Sequence, residues 1–258
     1  MTPLLLAKIL VGVLVGMLIG LSGMGGGVAL LPILMFGFGI PAIVAVGSAA
    51  AFNALTKVLA GFVHWRNRTV NWPLVLTLSA GSLPGTFLGV LLLGHLRAVY
   101  GSQVNTFLRT FIGVLLVCIP AFLLIQGQLG KLFAIRKRLP QEFYPAIAAI
   151  GLVAGFLVGM SSVGSGTVIM ALLLTFVQCT PVVLVASDIT HAVTLTGFTA
   201  LLDWHLGTVD MSLVLPLLIG SIPGSLLGVK LSTVLPGQWL RLVLCLVLMV
   251  TGARMLWV

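Results

Sequence analysis

The chain has 258 residues, of which 60% are hydrophobic and only 7% are charged, and its formal net charge is +9. With a mean hydropathy of +1.26, it lacks the roughly one quarter of charged residues that soluble domains carry, which excludes an ordinary soluble globule and a separate water-soluble catalytic domain. Because the Lys and Arg residues lie mostly singly at the ends of apolar runs, their charge indicates membrane orientation and not a nucleic-acid partner.

The apolar runs predict an all-α integral membrane protein built from two sets of five hydrophobic segments, since a transmembrane helix needs about 20 apolar residues. The first set lies at about residues 4 to 21, 26 to 38, 42 to 63, 73 to 94 and 105 to 126, and the second at about 144 to 160, 166 to 178, 182 to 202, 212 to 232 and 238 to 257. The second segment of each set is too short for a full span, so we predict one half-helix per set, either re-entrant or spanning. The predicted domains are a first transmembrane repeat at 1–126, a cytoplasmic basic loop at 127–142 and a second transmembrane repeat at 143–258.

The two sets form an internal repeat. An offset of 139 residues places Gly20–Gly27 over Gly159–Gly166, and GSLPGTFLGV at Gly81–Val90 over GSIPGSLLGV at Gly220–Val229. Matched Gly and Pro residues at one offset indicate duplication, whereas matched apolar residues alone would not. Both copies of the second pair begin with the motif GSxPG. Its prolines, Pro84 and Pro223, predict a kink that shapes helix packing, and a moving hinge is the alternative.

An odd number of segments in each repeat predicts that the two repeats are inverted in the membrane. Lys131 and Arg136 mark the central loop as cytoplasmic, and Arg66 and Arg68 mark the loop after the third segment in the same way. The matching loop of the second repeat, residues 203–210, has no Lys or Arg and is predicted on the outer face. Both termini are then outside.

Two Gly/Ser-rich turns are the candidate substrate-binding elements. Irregular chain at membrane depth is tolerated only where it is buried in protein or lines a cavity, and free N–H groups at a helix start attract anions. Two such turns, one per inverted repeat, would direct half-helix N-termini toward a small anion near the midplane. The alternative is that the glycines only permit close helix packing. The predicted binding residues in these turns are Ser22, Gly25, Gly26, Gly27, Ser161, Ser162, Gly164, Ser165, Gly166 and Thr167.

Charged residues inside the third segments are further candidates, because intramembrane charges are costly and mark function by default. Lys57 and Asp188 occupy the third segments of the two repeats, where inversion would bring them near one cavity. Asn53, one turn before Lys57, would line the same cavity. Asn53 and Lys57 complete the predicted set of substrate-binding residues. His191 lies three positions after Asp188 on the same helix face. Histidine titrates near neutral pH, so Asp188 and His191 are the predicted ion-coupling residues, carrying a proton. The alternative is a Lys57–Asp188 pair that only holds the halves together.

The sequence GLSGMGGGVALLPIL near the N-terminus, the following AVGSA, GSLPGTFLG and a diverged second copy resemble the sulfite exporter TauE/SafE family of membrane permeases. The resemblance runs over nearly the whole chain. It implies transport of sulfite, organosulfonates or related sulfur-containing anions across the bacterial inner membrane, as export driven by an ion gradient. The second copy has Ser162 and Ser165 where the first has Gly23 and Gly26, which makes the second turn less permissive and adds hydroxyl groups.

These observations predict a secondary transporter that exports a small sulfur-containing oxyanion by alternating access with proton coupling. A passive anion channel that uses the same helix N-termini is the alternative. We expect no enzyme, because no nucleophile and base occur at a recognisable spacing, and we expect no cofactor and no metal site. The expected partners are the small anionic substrate and the lipid bilayer, and a homo-oligomer is left open.

Overall fold

The computed structural model describes residues 3–22, 27–133, 144–166, 169–170, 172–173, 181–232 and 237–257, and the regular structure in these ranges is entirely helical. The helices of the first half are α1 (Pro3–Ser22), α2 (Gly27–Pro32), α3 (Ala42–Arg66), α4 (Trp72–Tyr100) and α5 (Val104–Phe133), and those of the second half are α6 (Tyr144–Ser161), α7 (Pro181–His205), α8 (Met211–Ser232) and α9 (Gly237–Trp257). A π-helical turn, Ile33–Gly37, extends α2, and a short 3₁₀ turn, Gly101–Gln103, separates α4 from α5.

The helices have the length and surface of membrane spans. Apolar stretches long enough to cross a bilayer are Trp72–Phe122, Tyr144–Ser161, Val183–His205 and Met211–Gly228, and shorter ones occur in α1, α3 and α9. Large apolar side chains cover the outside of the bundle, with exposed fractions of 65% for Leu76, 64% for Leu226 and 67% for Val250. Such a surface is stable against lipid and not against water. The prediction of a polytopic helical membrane protein is therefore confirmed.

The predicted short segments are described to different extents. The first is present as α2 and its π-helical turn, which together cover residues 27–37 and end well before α3 begins. The second, predicted at 166 to 178, is described only at residues 169–170 and 172–173, so most of it lies outside the described residues. The central loop is likewise outside them from residue 134 to 143, while α5 continues to Phe133.

Each long helix of the first half packs against a helix of the second half. α1 runs along α8, α4 runs along α6, α3 crosses α7, and α5 lies against α9. The two halves are therefore interleaved and not two separate bundles. The core that results is formed jointly, for example by Phe52 and Val46 of α3 with Leu217 and Val214 of α8.

Glycines create the closest of these helix contacts. Gly81 and Gly85 of α4 lie directly against backbone carbonyl groups of α6, and Gly220 and Gly224 of α8 lie in the same way against α1. A Cβ at any of these positions would overlap the backbone of the neighbouring helix. The glycines of the two GSxPG motifs are therefore packing residues. The proline of the first motif does not end the helix, because α4 continues through Pro84 to Tyr100.

We predict that Gly224→Ala destabilises the protein by roughly 1 to 3 kcal/mol, the usual cost of overpacking a close contact. A Cβ at Gly224 would lie 2.8 Å from the carbonyl carbon and 2.9 Å from the Cα of Val13, and backbone atoms cannot move aside as a side chain can. Thermal unfolding of the purified protein in detergent measures the effect.

Gly197→Ala in α7 is the matched control, because a Cβ there meets nothing within 4 Å. This substitution should leave stability unchanged or raise it, since alanine has a higher helix propensity than glycine. Equal losses in the two variants would contradict the packing role of Gly224.

Candidate functional site

The third segments of the two halves bring four predicted site residues into one buried region. Asn53 and Lys57 lie four positions apart on α3, and Asp188 and His191 lie three positions apart on α7, so each pair occupies one helix face. Their exposed fractions are 1% for Asn53, 7% for Lys57, 6% for Asp188 and 0% for His191. Together with two residues of the second Gly/Ser turn, they form what we call the central polar cluster: Asn53, Lys57, Ser162, Ser165, Asp188 and His191.

The second Gly/Ser turn reaches this cluster through an irregular backbone. α6 ends at Ser161, and the chain then passes through positive φ angles of 54° at Ser162 and 98° at Gly164. A positive φ is unfavourable for serine, and such strain persists only where the surrounding structure fixes it, which happens often at ligand sites. Ser162 is 1% exposed and Ser165 is 5% exposed. The turn is therefore buried irregular chain of the kind predicted.

Lys57 joins the first half of the protein to this turn of the second half. Its Nζ donates to the backbone O of Ser165 at 3.0 Å and to the Ser165 Oγ at 2.9 Å. The ammonium group also interacts through charge with Asp188 and with His191. A buried ammonium group needs hydrogen bonds and a nearby opposite charge. The two oxygens of Ser165 supply hydrogen bonds to Lys57, and the Asp188 carboxylate supplies the opposite charge.

Several polar atoms of the cluster have no hydrogen-bond partner among the residues that the structure describes. They are Nδ2 and Oδ1 of Asn53, Oγ of Ser162, Oδ1 of Asp188 and Nδ1 of His191. A buried polar atom without a partner costs about 1 to 3 kcal/mol, and most such atoms in proteins are paired. Their concentration in one buried region makes the central polar cluster the candidate site for a polar ligand, water or a proton.

His191 hydrogen-bonds Ser82 of α4, a residue that was not among the predicted site residues. The His191 Nε2 lies 2.8 Å from the Ser82 Oγ, and both side chains are fully buried. His191 therefore pairs with α4 and not with Asp188, although the two lie on one face of α7. The available signal was the repeated GSxPG motif, which contains Ser82 but was interpreted through its proline.

Other predicted binding residues have local roles or lie outside the described residues. The Ser161 hydroxyl donates to Leu157 O at 2.6 Å and accepts from Val163 N at 3.2 Å, so it serves the end of α6. Gly166 O accepts from Met170 N at 3.3 Å. In the first turn, Ser22 ends α1 and Gly27 begins α2. Gly25, Gly26 and Thr167 lie outside the described residues.

Two polar side chains with buried atoms lie away from the cluster and were not among the predicted site residues. Asp203, near the end of α7, is fully buried, and its carboxyl group interacts with the hydroxyl of Thr208, which donates to the Asp203 backbone O at 2.9 Å. Arg109 of α5 has buried, unpartnered Nε and Nη2 atoms. Its guanidinium carbon lies 5.3 Å from the centroid of the Phe36 ring, which Arg254 also approaches at 5.5 Å. Within the described ranges, no group of three or more His, Cys, Asp or Glu side chains is placed to hold a metal ion.

The chain matches the family model described as "Sulfite exporter TauE/SafE" over residues 8–257. This chain belongs to the TauE/SafE family. The match includes both Gly/Ser turns and both third segments, so the resemblance predicted from the motifs is confirmed. The family assignment makes the protein a multi-pass membrane transporter, consistent with the absence of any recognisable enzyme motif in its sequence.

Curated relatives of this TauE/SafE family member carry similar descriptions. The chain is 31% identical over 256 residues to the "Probable membrane transporter protein YjnA" of Bacillus subtilis (strain 168), covering 96% of this chain and 98% of that protein. It is 28% identical over 269 residues to the "Probable membrane transporter protein MJ0441" of Methanocaldococcus jannaschii, covering 98% and 96%. No solved structure matches this chain.

We predict that Asn53→Leu raises the free energy of unfolding by about 1 kcal/mol, although Asn53 is buried in the site. Replacing an unpartnered amide with an apolar side chain of similar size removes the cost of its buried polar atoms. Thermal unfolding in detergent, without added anion, is the measurement.

The control is Asn71→Leu, because the Asn71 Oδ1 accepts a hydrogen bond from Leu74 N at 3.2 Å and caps α4. Loss of an N-cap should lower stability by about 1 kcal/mol. If Asn53→Leu lowered stability as much as Asn71→Leu, Asn53 would be a structural residue and not part of a site open to a ligand.

Proposed function

We propose that this protein is a secondary transporter that exports a small sulfur-containing oxyanion, sulfite or an organosulfonate, by alternating access with proton coupling. The observation that carries the proposal is the attachment of Lys57 to Ser165 across the two halves, beside polar atoms that have no partner. A transporter needs a site of this kind, buried between two interleaved halves and incompletely satisfied until the substrate binds.

The chemistry of the central polar cluster suits an anion. Lys57 supplies a positive charge, and the Asn53 Nδ2 and Ser162 Oγ are donors without acceptors in the described structure. A sulfite or sulfonate group offers oxygen atoms that accept from such donors, and ionised acceptors make the stronger hydrogen bonds. In this proposal the anion replaces Ser165 as one acceptor of the Lys57 ammonium group, and the backbone N–H groups of the glycine turns contribute further donors.

A proton is the coupling ion in this proposal, and Asp188 and His191 carry it. Within the described part of the chain, the Asp188 Oδ1 and the His191 Nδ1 have no hydrogen-bond partner, and each residue also interacts through charge with Lys57. Arrival of an anion at Lys57 changes the field at both groups, so binding and protonation influence each other. This linkage is what a proton-coupled carrier requires.

Alternating access follows, in this proposal, from two inverted repeats. Supporting it are contacts that recur at the offset of 139 residues. Asn71 N donates to Ser187 Oγ at 2.9 Å, and Asp210 N donates to Ser48 Oγ at 3.0 Å. The first joins the start of α4 to α7 and the second joins the start of α8 to α3, so each connects the fourth predicted segment of one half to the third predicted segment of the other. We infer that the halves are related by a pseudo-twofold axis, with the central loop cytoplasmic, the termini outside and the protein in the bacterial inner membrane.

The first test is counterflow in proteoliposomes loaded with sulfite, thiosulfate, sulfate, a sulfonate or lactate, with and without a pH gradient. We expect accumulation of a sulfur oxyanion above equilibrium.

We further predict that Asp188→Asn retains counterflow but abolishes the stimulation of counterflow by a pH gradient, because an amide cannot carry the proton.

Asp210→Asn is the control for this substitution. The Asp210 Oδ1 accepts from Ser212 N at 2.8 Å at the start of α8, and asparagine caps a helix as well as aspartate does. That variant should remain coupled. Normal proton coupling in the Asp188→Asn variant would remove Asp188 from the mechanism. In the unmodified protein, downhill flux of the anion without counterflow would show a channel and not a carrier.

The turn at Gly164 gives a second prediction. Gly164→Ala should reduce transport severely while the protein still inserts into the membrane. A φ of 98° is unfavourable for a residue with a Cβ atom, so the turn that carries Ser162 and Ser165 must change its conformation. Gly207→Ala is the matched control, since Gly207 has a φ of 66° and lies in the α7–α8 loop, with nothing within 4 Å of an added Cβ. It should retain transport, and equal loss in both variants would mean that general strain is responsible.

A further inference from the structure

The loop between α3 and α4 forms a groove that the transport proposal does not use. Its volume is about 550 Å³, and it is lined by Phe62, Trp65, Arg66, Arg68, Val70 and Trp72. We call it the Arg66/Arg68 groove. Both arginines are exposed, as are the rings of Trp65 and Trp72, and the Phe62 and Trp65 rings pack against each other with centroids 5.7 Å apart. The groove thus combines two cations with aromatic walls.

The backbone at the groove is the C-terminal end of α3, and it forms a helix-ending motif in which one position is usually glycine. Thr69 N donates to His64 O at 3.3 Å and Arg68 N donates to Trp65 O at 3.1 Å, which is the hydrogen-bond pattern of a Schellman motif. The residue that takes the left-handed conformation in this motif is usually glycine. Here it is Arg68, with a φ of 53°.

The second half has the same helix ending with the expected residue. Thr208 N donates to Asp203 O and Gly207 N donates to Trp204 O, each at 3.0 Å, and Gly207 has a φ of 66°. At the offset of 139, Arg66 corresponds to His205, Arg68 to Gly207 and Trp72 to Met211. The turn therefore forms readily with glycine, and the arginine in the first half is retained against a conformational cost.

A cost of this kind indicates that the Arg68 side chain is needed where it is. Orientation of the protein by positive charge would be served by an arginine at any unstrained position of the loop. Two guanidinium groups that line one groove are suited instead to oxyanions with several oxygen atoms, and arginine binds phosphate through paired hydrogen bonds. The two indole N–H groups are further donors at the same place.

We propose that the Arg66/Arg68 groove binds the phosphate of an anionic glycerophospholipid. The groove lies where α3 ends, and exposed tryptophans at a helix end are the side chains that occupy the membrane–water interface. A lipid headgroup reaches this position with its phosphate level with the arginines, while its acyl chains lie along the apolar surface formed by residues such as Phe62. The corresponding turn of the second half has no arginine and should not bind such a lipid.

The test is native mass spectrometry of the delipidated, full-length protein titrated with phosphatidylglycerol or phosphatidylcholine. The unmodified protein should retain phosphatidylglycerol preferentially. Arg66→Gln and Arg68→Gly should each weaken that binding by about fivefold, the effect expected for one basic residue at a membrane surface. Arg68→Gly should also unfold at an equal or higher temperature, because glycine relieves the strain, so weaker binding cannot be attributed to misfolding.

Lys230→Gln is the control, because Lys230 is an exposed basic residue near the end of α8 and does not line the groove. It should leave lipid binding within twofold of the unmodified protein, since it removes charge without touching the groove. Equal weakening by Lys230→Gln and Arg68→Gly, or equal retention of the two lipids, would overturn the proposal.

A separate titration with inorganic phosphate distinguishes the source of the phosphate. If inorganic phosphate bound as tightly as phosphatidylglycerol, the groove would be a site for a soluble anion, and the lipid would be rejected.

Discussion

Close backbone contact between helices of different halves is the constraint on which this structure depends. Lipid tails are as apolar as leucine, so apolar burial does not drive helices together in a membrane, and fine packing must do so instead. Glycines along α4 and α8 supply that packing by letting the backbones of α6 and α1 approach without intervening side chains. α3 and α7 pack against each other, and they also contact α8 and α4 of these glycine-packed pairs, so the scaffold contacts help to determine where α3 and α7 meet.

Residues of the scaffold recur in both halves, whereas residues of the central polar cluster do not. The offset of 139 pairs Gly85 with Gly224, but it pairs Lys57 with Thr196 and Asp188 with Ala49. The polar side chains of α3 and α7 therefore complement one another and are not duplicates. A single lysine beside a single aspartate balances charge at membrane depth, where two uncompensated copies of either would be prohibitively costly.

Stability and function place opposite demands on the cluster. Filling the region with apolar side chains would remove the unpartnered atoms of Asn53, Ser162 and His191 and would favour the folded protein. It would also remove the donors and the proton-accepting groups on which the proposed transport depends. The protein tolerates this cost because the glycine-packed pairs hold the surrounding helices. The strained arginine of the Arg66/Arg68 groove is a second position where side-chain chemistry is retained against the preference of the backbone.

The sequence by itself determined the class of protein, the order of the helices, the repeat and the family. Those properties follow from the lengths of the apolar runs and from Gly and Pro residues matched at one offset, which require no knowledge of contacts. It also made Asn53, Lys57, Asp188 and His191 candidate site residues, because polar residues within apolar runs stand out. It could not assign Ser82 to His191 or Ser165 to Lys57, since these partners are 109 and 108 residues apart. Only the tertiary structure decides such pairs, because the crossing of α3 with α7 and the close approach of α4 to α6 determine which hydroxyl each buried side chain can reach.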